Sequence, residues 1–171
     1  MQKECECIMF GKLKNLFSQP GITIASPVSG MVVPLTEVPD PTFAQGILGP
    51  GAAVQPSEGR IVAPANGTVD MMFDTGHAVS MTTSEGAELL IHVGIDTVNL
   101  KGQHYTAKCK SGDTVRKGDT LIEFDIDAIR EAGYEVVTPV IVCTPDAFAS
   151  VKTVDAGSVQ AGDDLLTLEK K

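Results

Sequence analysis

The sequence predicts an all-β fold, an antiparallel β-sandwich or barrel with a duplicated motif and short helical turns. Three observations carry this. Short β-branched or alternating apolar runs recur along the 171 residues, separated by Gly, Pro, Asn, Asp or Ser. Glycine and proline are frequent, at 17 and 10 residues, so the chain turns often. Two sequence patterns each occur twice. Hydrophobic residues make up 43% of the chain, which is enough for a core, and the length suits one domain with at most a tail.

Taken in order, residues 1–20 stand apart as a flexible tail. Met1 to Cys7 is polar and is expected to lack order. Phe10, Leu13, Leu16 and Phe17 then fall at helical spacing with lysines between them. This fits either an amphipathic segment in weak contact with an anionic membrane surface or a frayed end. Met9 is an alternative start. Residues 21–171 read as the domain itself. Its extended stretches are expected at 22–26, 30–35, 60–63, 67–73, 77–82, 87–95, 104–108, 120–125, 135–142 and 164–169. The best interior helix runs from Asp125 to Ala132, with Asp125 to cap it and Gly133 to end it. A single turn is expected around Thr42–Gln45.

Ile24–Val32 and Ile61–Val69 share the pattern I-x-[SA]-P-x-x-G-x-V. Val115–Leu121 and Val159–Leu165 share V-x-x-G-D-x-L, where Gly supplies a turn and Asp bonds the turn backbone. The second pattern resembles a turn of biotinyl and lipoyl carrier domains. Their modifiable lysine tripeptides, M-K-M and D-K-A, do not occur here, so the likeness supports an architecture and not carrier chemistry.

Composition excludes several classes. The formal charge is −9 and Lys and Arg are not clustered, which argues against nucleic acid. Cys5, Cys7, Cys109 and Cys143 form no C-x-x-C pair, so neither a zinc ribbon nor a disulfide scaffold is expected. Cys109 and Cys143 read as buried thiols in a reducing, cytoplasmic protein. There is no run of about 18 apolar residues and no signal-peptide core.

The chemistry points to two histidines. Thr82–Gly86 is polar and reads as a hairpin turn between strands carrying His77 and His92. A turn centred between Ser84 and Glu85 sets the two directly opposite, with Cβ atoms about 4.5–5.5 Å apart; a one-residue slip would separate them. Alternation brings Thr75 to the face of His77, and Leu90 and Gly94 to that of His92. A neutral imidazole can attack a phosphoryl donor near pH 7, and its neighbour can hydrogen-bond the phosphoryl oxygens. Thr75 could fix the neighbour's tautomer, and Gly94 leaves room for a partner to approach. Ordinary strand histidines, two ligands of a zinc hydrolase needing a third, and a non-catalytic regulatory module remain as alternatives. His104 reads as a surface residue.

Gly86–Val98 as a whole, and Phe73–Ala78, resemble the phosphohistidine signature and second-histidine segment of the glucose-type enzyme IIA family of the bacterial sugar phosphotransferase system. Ser26–Gly30, Val38–Asp40, Val62–Val69, Val115–Asp119 and Phe10–Lys14 are also similar to it. The resemblance runs from about residue 20 to the end. It implies a duplicated β-sandwich needing no cofactor. His92 would take a phosphoryl group from the phosphocarrier HPr through Nε2. It would then pass the group to a cysteine of a permease IIB domain. His77 would stabilise the group, oriented by Thr75. Asp40 and Asp96 would face the partners' basic groups. Phe43, Ile47, Phe73, Leu90 and Val98 would form an apolar docking patch, with core packing expected more for Leu90 than for Phe43. Zinc held by His77, His92 and a partner carboxylate, and regulatory targets, are known in the family.

Overall fold

The computed structural model describes residues 21–171. The expected amphipathic tail, Cys5 and Cys7 lie outside the described residues.

Among the described residues, fourteen strands pair entirely antiparallel. They are β1 (Ile22–Ala25), β2 (Gly30–Val33), β3 (Gly51–Pro56), β4 (Arg60–Val62), β5 (Gly67–Met72), β6 (Ala78–Thr83) and β7 (Glu88–His92). Then come β8 (Tyr105–Ala107), β9 (Thr114–Val115), β10 (Thr120–Phe124), β11 (Thr138–Val142), β12 (Phe148–Thr153), β13 (Gly157–Val159) and β14 (Asp164–Lys170). One eight-stranded sheet has the order β13-β2-β3-β11-β7-β6-β5-β9, and two three-stranded sheets are β1-β14-β12 and β4-β10-β8.

The two sequence patterns build two equivalent units. β1 pairs with β14 and β2 with β13. In the same way, β4 pairs with β10 and β5 with β9. The turns are bonded alike: Ser26 N–H donates to the Asp163 carbonyl, as Ala63 N–H does to that of Asp119. The units also clasp each other, because Ala25 N–H reaches the Pro64 carbonyl and Val62 N–H reaches that of Pro27. The repeated glycine has a steric reason. A Cβ on Gly30 would lie 2.0 Å from the Gln55 carbonyl oxygen, and one on Gly67 would lie 2.2 Å from that of Thr82. Each opens a strand where the neighbouring backbone leaves no room for a side chain.

Alternation divides the large sheet into two faces. Val54, Val79, Met81, Leu89, Ile91 and Val140 point into the main core, against Ile24, Ile61, Leu121, Ile122, Leu165 and Leu166 of the small sheets. Ala53, Leu90 and Ile141 point the other way and pack beneath Val38, Phe43, Ile95 and Val137. The segment over this outer face includes the short helix α1 (Pro41–Ala44), with Pro at its start and the Asp40 carboxylate accepting from Thr42 N–H at 2.9 Å. The second helix, α2 (Ile126–Glu131), is capped by Asp125 through Ala128 N–H at 3.0 Å and ends before Gly133, as expected.

β3, β9, β12 and β13 are strands the sequence does not announce. Gly51–Pro56 carries two alanines and a proline, weak β-formers, and becomes a strand because β2 and β11 bind it on both sides. Neither thiol is fully buried: Cys109 is half-buried, and Cys143 is exposed, since it follows the last residue of β11.

Candidate functional site

The site sits on the outer face of the large sheet, at the ends of β6 and β7. The expected register is off by one. Gly86, at φ +96°, takes the left-handed conformation, while Gly86 N–H donates to the Thr83 carbonyl and Thr83 N–H to that of Ala87. This three-residue bulged loop holds one residue more than the expected turn, so His92 lies opposite Ala78. The slip does not part the histidines. His77 lies just before β6, its carbonyl bonded by Val93 N–H at 2.7 Å, and its ring turns in to meet His92 edge-on with centroids 4.9 Å apart.

Each ring is held from behind. The Thr75 hydroxyl is hydrogen-bonded to His77 Nδ1. His92 Nδ1 lies 2.7 Å from the Gly94 carbonyl oxygen. A carbonyl only accepts, so Nδ1 carries the proton and the lone pair of neutral His92 is on Nε2. Phe73 packs edge-on to His77 at 5.5 Å, and Phe43 lies tilted on His92 at 5.1 Å.

Burial lowers the basicity of both rings. It brings His77 down to about 4, with the neighbouring His92 adding to the effect. His92 is lowered by burial too, offset in part by the Gly94 carbonyl and the charges of Asp40 and Asp96. Both imidazoles are therefore neutral at pH 7. Two neutral rings side by side, one with a free Nε2, suit nucleophilic capture of an electrophile.

Gly94 does not open space for a partner, as the sequence suggested. It is buried, at φ +91°, and a Cβ would lie 2.5 Å from Thr97 Cγ2 and 2.7 Å from the Glu135 carbonyl oxygen. Its role is internal, to present the carbonyl that orients His92. Gly94→Ala should therefore displace that carbonyl, releasing the proton of His92 from Nδ1 while costing on the order of 1–3 kcal/mol of stability. Imidazole ¹⁵N NMR and denaturant melts check the two effects; an unchanged His92 tautomer would contradict the orienting role.

The apolar residues also sort differently from expectation. Phe43 is the buried one, at 4% exposure, because α1 folds its ring onto Val38, Ile95 and the sheet, whereas Leu90 is half-buried. Ile47 and Val98 are exposed at 67% and 51%, joined by Leu48 at 40%, which sequence reasoning missed. Asp96 is exposed and Asp40 half-buried. His104 is exposed, as expected. Among the described residues no group of three or more His, Cys, Asp or Glu side chains is placed to hold a metal. His77 and His92 offer two imidazoles for zinc, and a third ligand would have to come from a partner.

The model of the family described as phosphoenolpyruvate-dependent sugar phosphotransferase system, EIIA 1, matches residues 22–148. The chain belongs to this family. The glucose-specific EIIA component of Oceanobacillus iheyensis is 43% identical over 155 residues, covering 88% of this chain and 94% of that protein. The β-glucoside-specific EIIBCA component of Bacillus subtilis is 46% identical over 145 residues, covering 85% of this chain but 24% of that protein. The chain thus spans about a quarter of such fused relatives and nearly all of the free-standing ones. The glucose permease IIA of Mycoplasma capricolum has the same fold, with a TM-score of 0.82 at 28% identity over 87% of this chain and 96% of that one. The β-sandwich and the phosphotransferase-system membership expected from the sequence both hold. The hydrolase and purely regulatory alternatives find no support among these relatives.

Proposed function

We propose that the protein carries a phosphoryl group on Nε2 of His92, taking it from phospho-HPr and giving it to a cysteine of a sugar-permease IIB domain. A phosphocarrier role in sugar uptake belongs to the EIIA family itself. The observation that carries the assignment to His92 is its Nδ1–H bond to the Gly94 carbonyl, which leaves Nε2 as the nucleophile. In the first step the Nε2 lone pair forms a bond to phosphorus as the donor's bond to it breaks. In the second, a IIB thiolate attacks phosphorus and Nε2 leaves with its electron pair. In this reading the Thr75 hydroxyl donates to Nδ1 of His77, which puts the proton of His77 on Nε2 to donate to a phosphoryl oxygen. Exposed Ile47 and Val98 would form the docking patch with Phe43, Phe73 and Leu90, and Asp40 and Asp96 would face the partners' basic groups. EIIBCA relatives join an EIIA component to EIIB in one chain, which supports IIB as the acceptor. We place this work in the cytoplasm, with residues 21–171 as the working unit.

The test is incubation with phosphoenolpyruvate, enzyme I and HPr. Acid-labile, base-stable phosphate on His92 is expected, and an unlabelled protein would sink the proposal.

The pH dependence follows from the lowered basicity. An ordinary histidine loses its nucleophilic form below about pH 6.5. Burial keeps His92 neutral further down, so its labelling rate should stay flat through pH 6.5 and fall only below that. Stability moves the same way. Between pH 6.5 and about 4 the unfolded chain binds a proton that folded His77 does not. The stability from neutral His77 is full above 6.5 and is lost as pH falls towards 4. Denaturant melts of wild type and His77→Gln across this range check it: the wild type should lose more stability on acidification than the variant.

A further inference from the structure

Tyr105 lies outside the histidine signature and on another sheet, yet its hydroxyl reaches the centre of the site. It donates to the Val93 carbonyl at 2.8 Å. The Thr97 hydroxyl donates to the same oxygen, also at 2.8 Å, so both lone pairs are engaged. The other side of Val93 is tied as well, because its N–H donates to the His77 carbonyl. Gly94 follows at once, and its carbonyl holds His92 Nδ1. The Val93–Gly94 peptide is therefore a single piece of backbone between the two histidines. Its orientation is set by hydroxyls from Thr97, a buried residue that opens a 3-10 turn, and from β8.

We propose that Tyr105 is a positioning residue for phosphoryl transfer: through the Val93 carbonyl it sets the Gly94 carbonyl that keeps the His92 proton on Nδ1 and the lone pair on Nε2. Three features suit Tyr105 to this. Its ring stacks on Phe124 of β10, with centroids 6.3 Å apart and planes 25° apart, so the hydroxyl is delivered by a packed side chain. β8 is bound to β10 along Tyr105–Ala107, which anchors its backbone to the small sheet. Burial holds the phenol at about 12, so it remains a neutral donor wherever histidine chemistry operates. Gly94 sits at φ +91° with no side chain to restrict it. Gly94 N–H reaches the Val137 carbonyl at 3.1 Å and Ile95 N–H that of Glu135 at 3.0 Å, so the far side of the Gly94 carbonyl is anchored to the neighbouring strand segment and the hydroxyls supply the constraint on the Val93 carbonyl before it.

The proposal rests on His92 as the phosphoryl acceptor, but its decisive readout does not require transfer. Tyr105→Phe keeps the ring and removes only the hydroxyl. In ¹⁵N NMR of the unphosphorylated protein above pH 7, His92 should shift from an Nδ1–H tautomer towards a mixture with Nε2–H. The maximal rate of phosphorylation by phospho-HPr should fall about three- to ten-fold, with the half-saturating HPr concentration unchanged. Thr97→Val should shift the tautomer the same way, and the double variant further. A Tyr105→Phe protein that is merely less stable, with the wild-type His92 tautomer and rate, would overturn the proposal. Should that variant not fold, 3-fluorotyrosine in a Tyr134→Phe background strengthens the same donor. It should sharpen the Nδ1–H signature of His92, and an unmoved signature would likewise refute the positioning role. A shifted tautomer in a protein that never takes up phosphate would instead count against His92 as the acceptor.

Discussion

Replacing His92 with alanine is expected to abolish phosphate uptake from phospho-HPr, by about four orders of magnitude or to the limit of detection. No other group at the site can take over the attack. His77 is the nearest imidazole, but it is 4% exposed, its Nδ1 is bonded to Thr75, and the proposed tautomer puts a proton on its Nε2. The variant should fold normally, because His92 ends β7 and the backbone pairing of that strand does not need its side chain. The measurement is acid-labile label after incubation with the full donor chain, beside a thermal melt to confirm folding. Residual labelling at even a few per cent of wild type would move the phosphoryl group to another residue.

His77→Gln should separate the two halves of the reaction. Glutamine keeps a hydrogen-bond donor near the phosphoryl oxygens, but it cannot match the placement of an imidazole held by Thr75 and packed against Phe73. Uptake from phospho-HPr should persist. Passage to a IIB cysteine should fall about 10²- to 10⁴-fold, the range seen when one oriented stabilising group is removed. Single-turnover chase of labelled protein onto an isolated IIB domain reads the second step alone. Loss of both steps together would contradict the division of roles between the histidines.

Thr75→Ala and Tyr105→Phe bear on these two steps from different sides. Thr75 acts on His77, and Tyr105 acts on His92 through backbone. The first should therefore follow His77→Gln in the transfer step, and the second should slow uptake.

The site was legible in the sequence to an uneven degree. His77, His92 and Thr75 stood within one short hairpin, and the structure does place their side chains together. The pairing offered for them was nevertheless wrong by one residue, because sequence does not say how many residues a bulged loop takes in. Phe43 and Leu90 exchanged roles because burial depends on what folds over a sheet, and α1 brings Phe43 down onto the outer face. Gly94 reads as open space in the sequence, yet it is crowded by nearby Thr97 and by the Glu135 carbonyl, which only the chain's return brings there. Tyr105 carried no local signal at all, since its partner is a carbonyl twelve residues earlier.

By itself the sequence determined what local chemistry can determine. It set the duplicated turns with their glycines, the strand alternation, the Asp125 helix cap and the identity of the two imidazoles, each of which depends on residues near one another in the chain. The tertiary structure decided the rest. The hairpin register turned on how many residues the loop closed over, and the free nitrogen of His92 on the conformation that turns the Gly94 carbonyl back to its ring. The recruitment of β3, β9, β12 and β13 as strands and the neutral state of both rings depend on burial and on distant segments, which meet only when the sheets have packed.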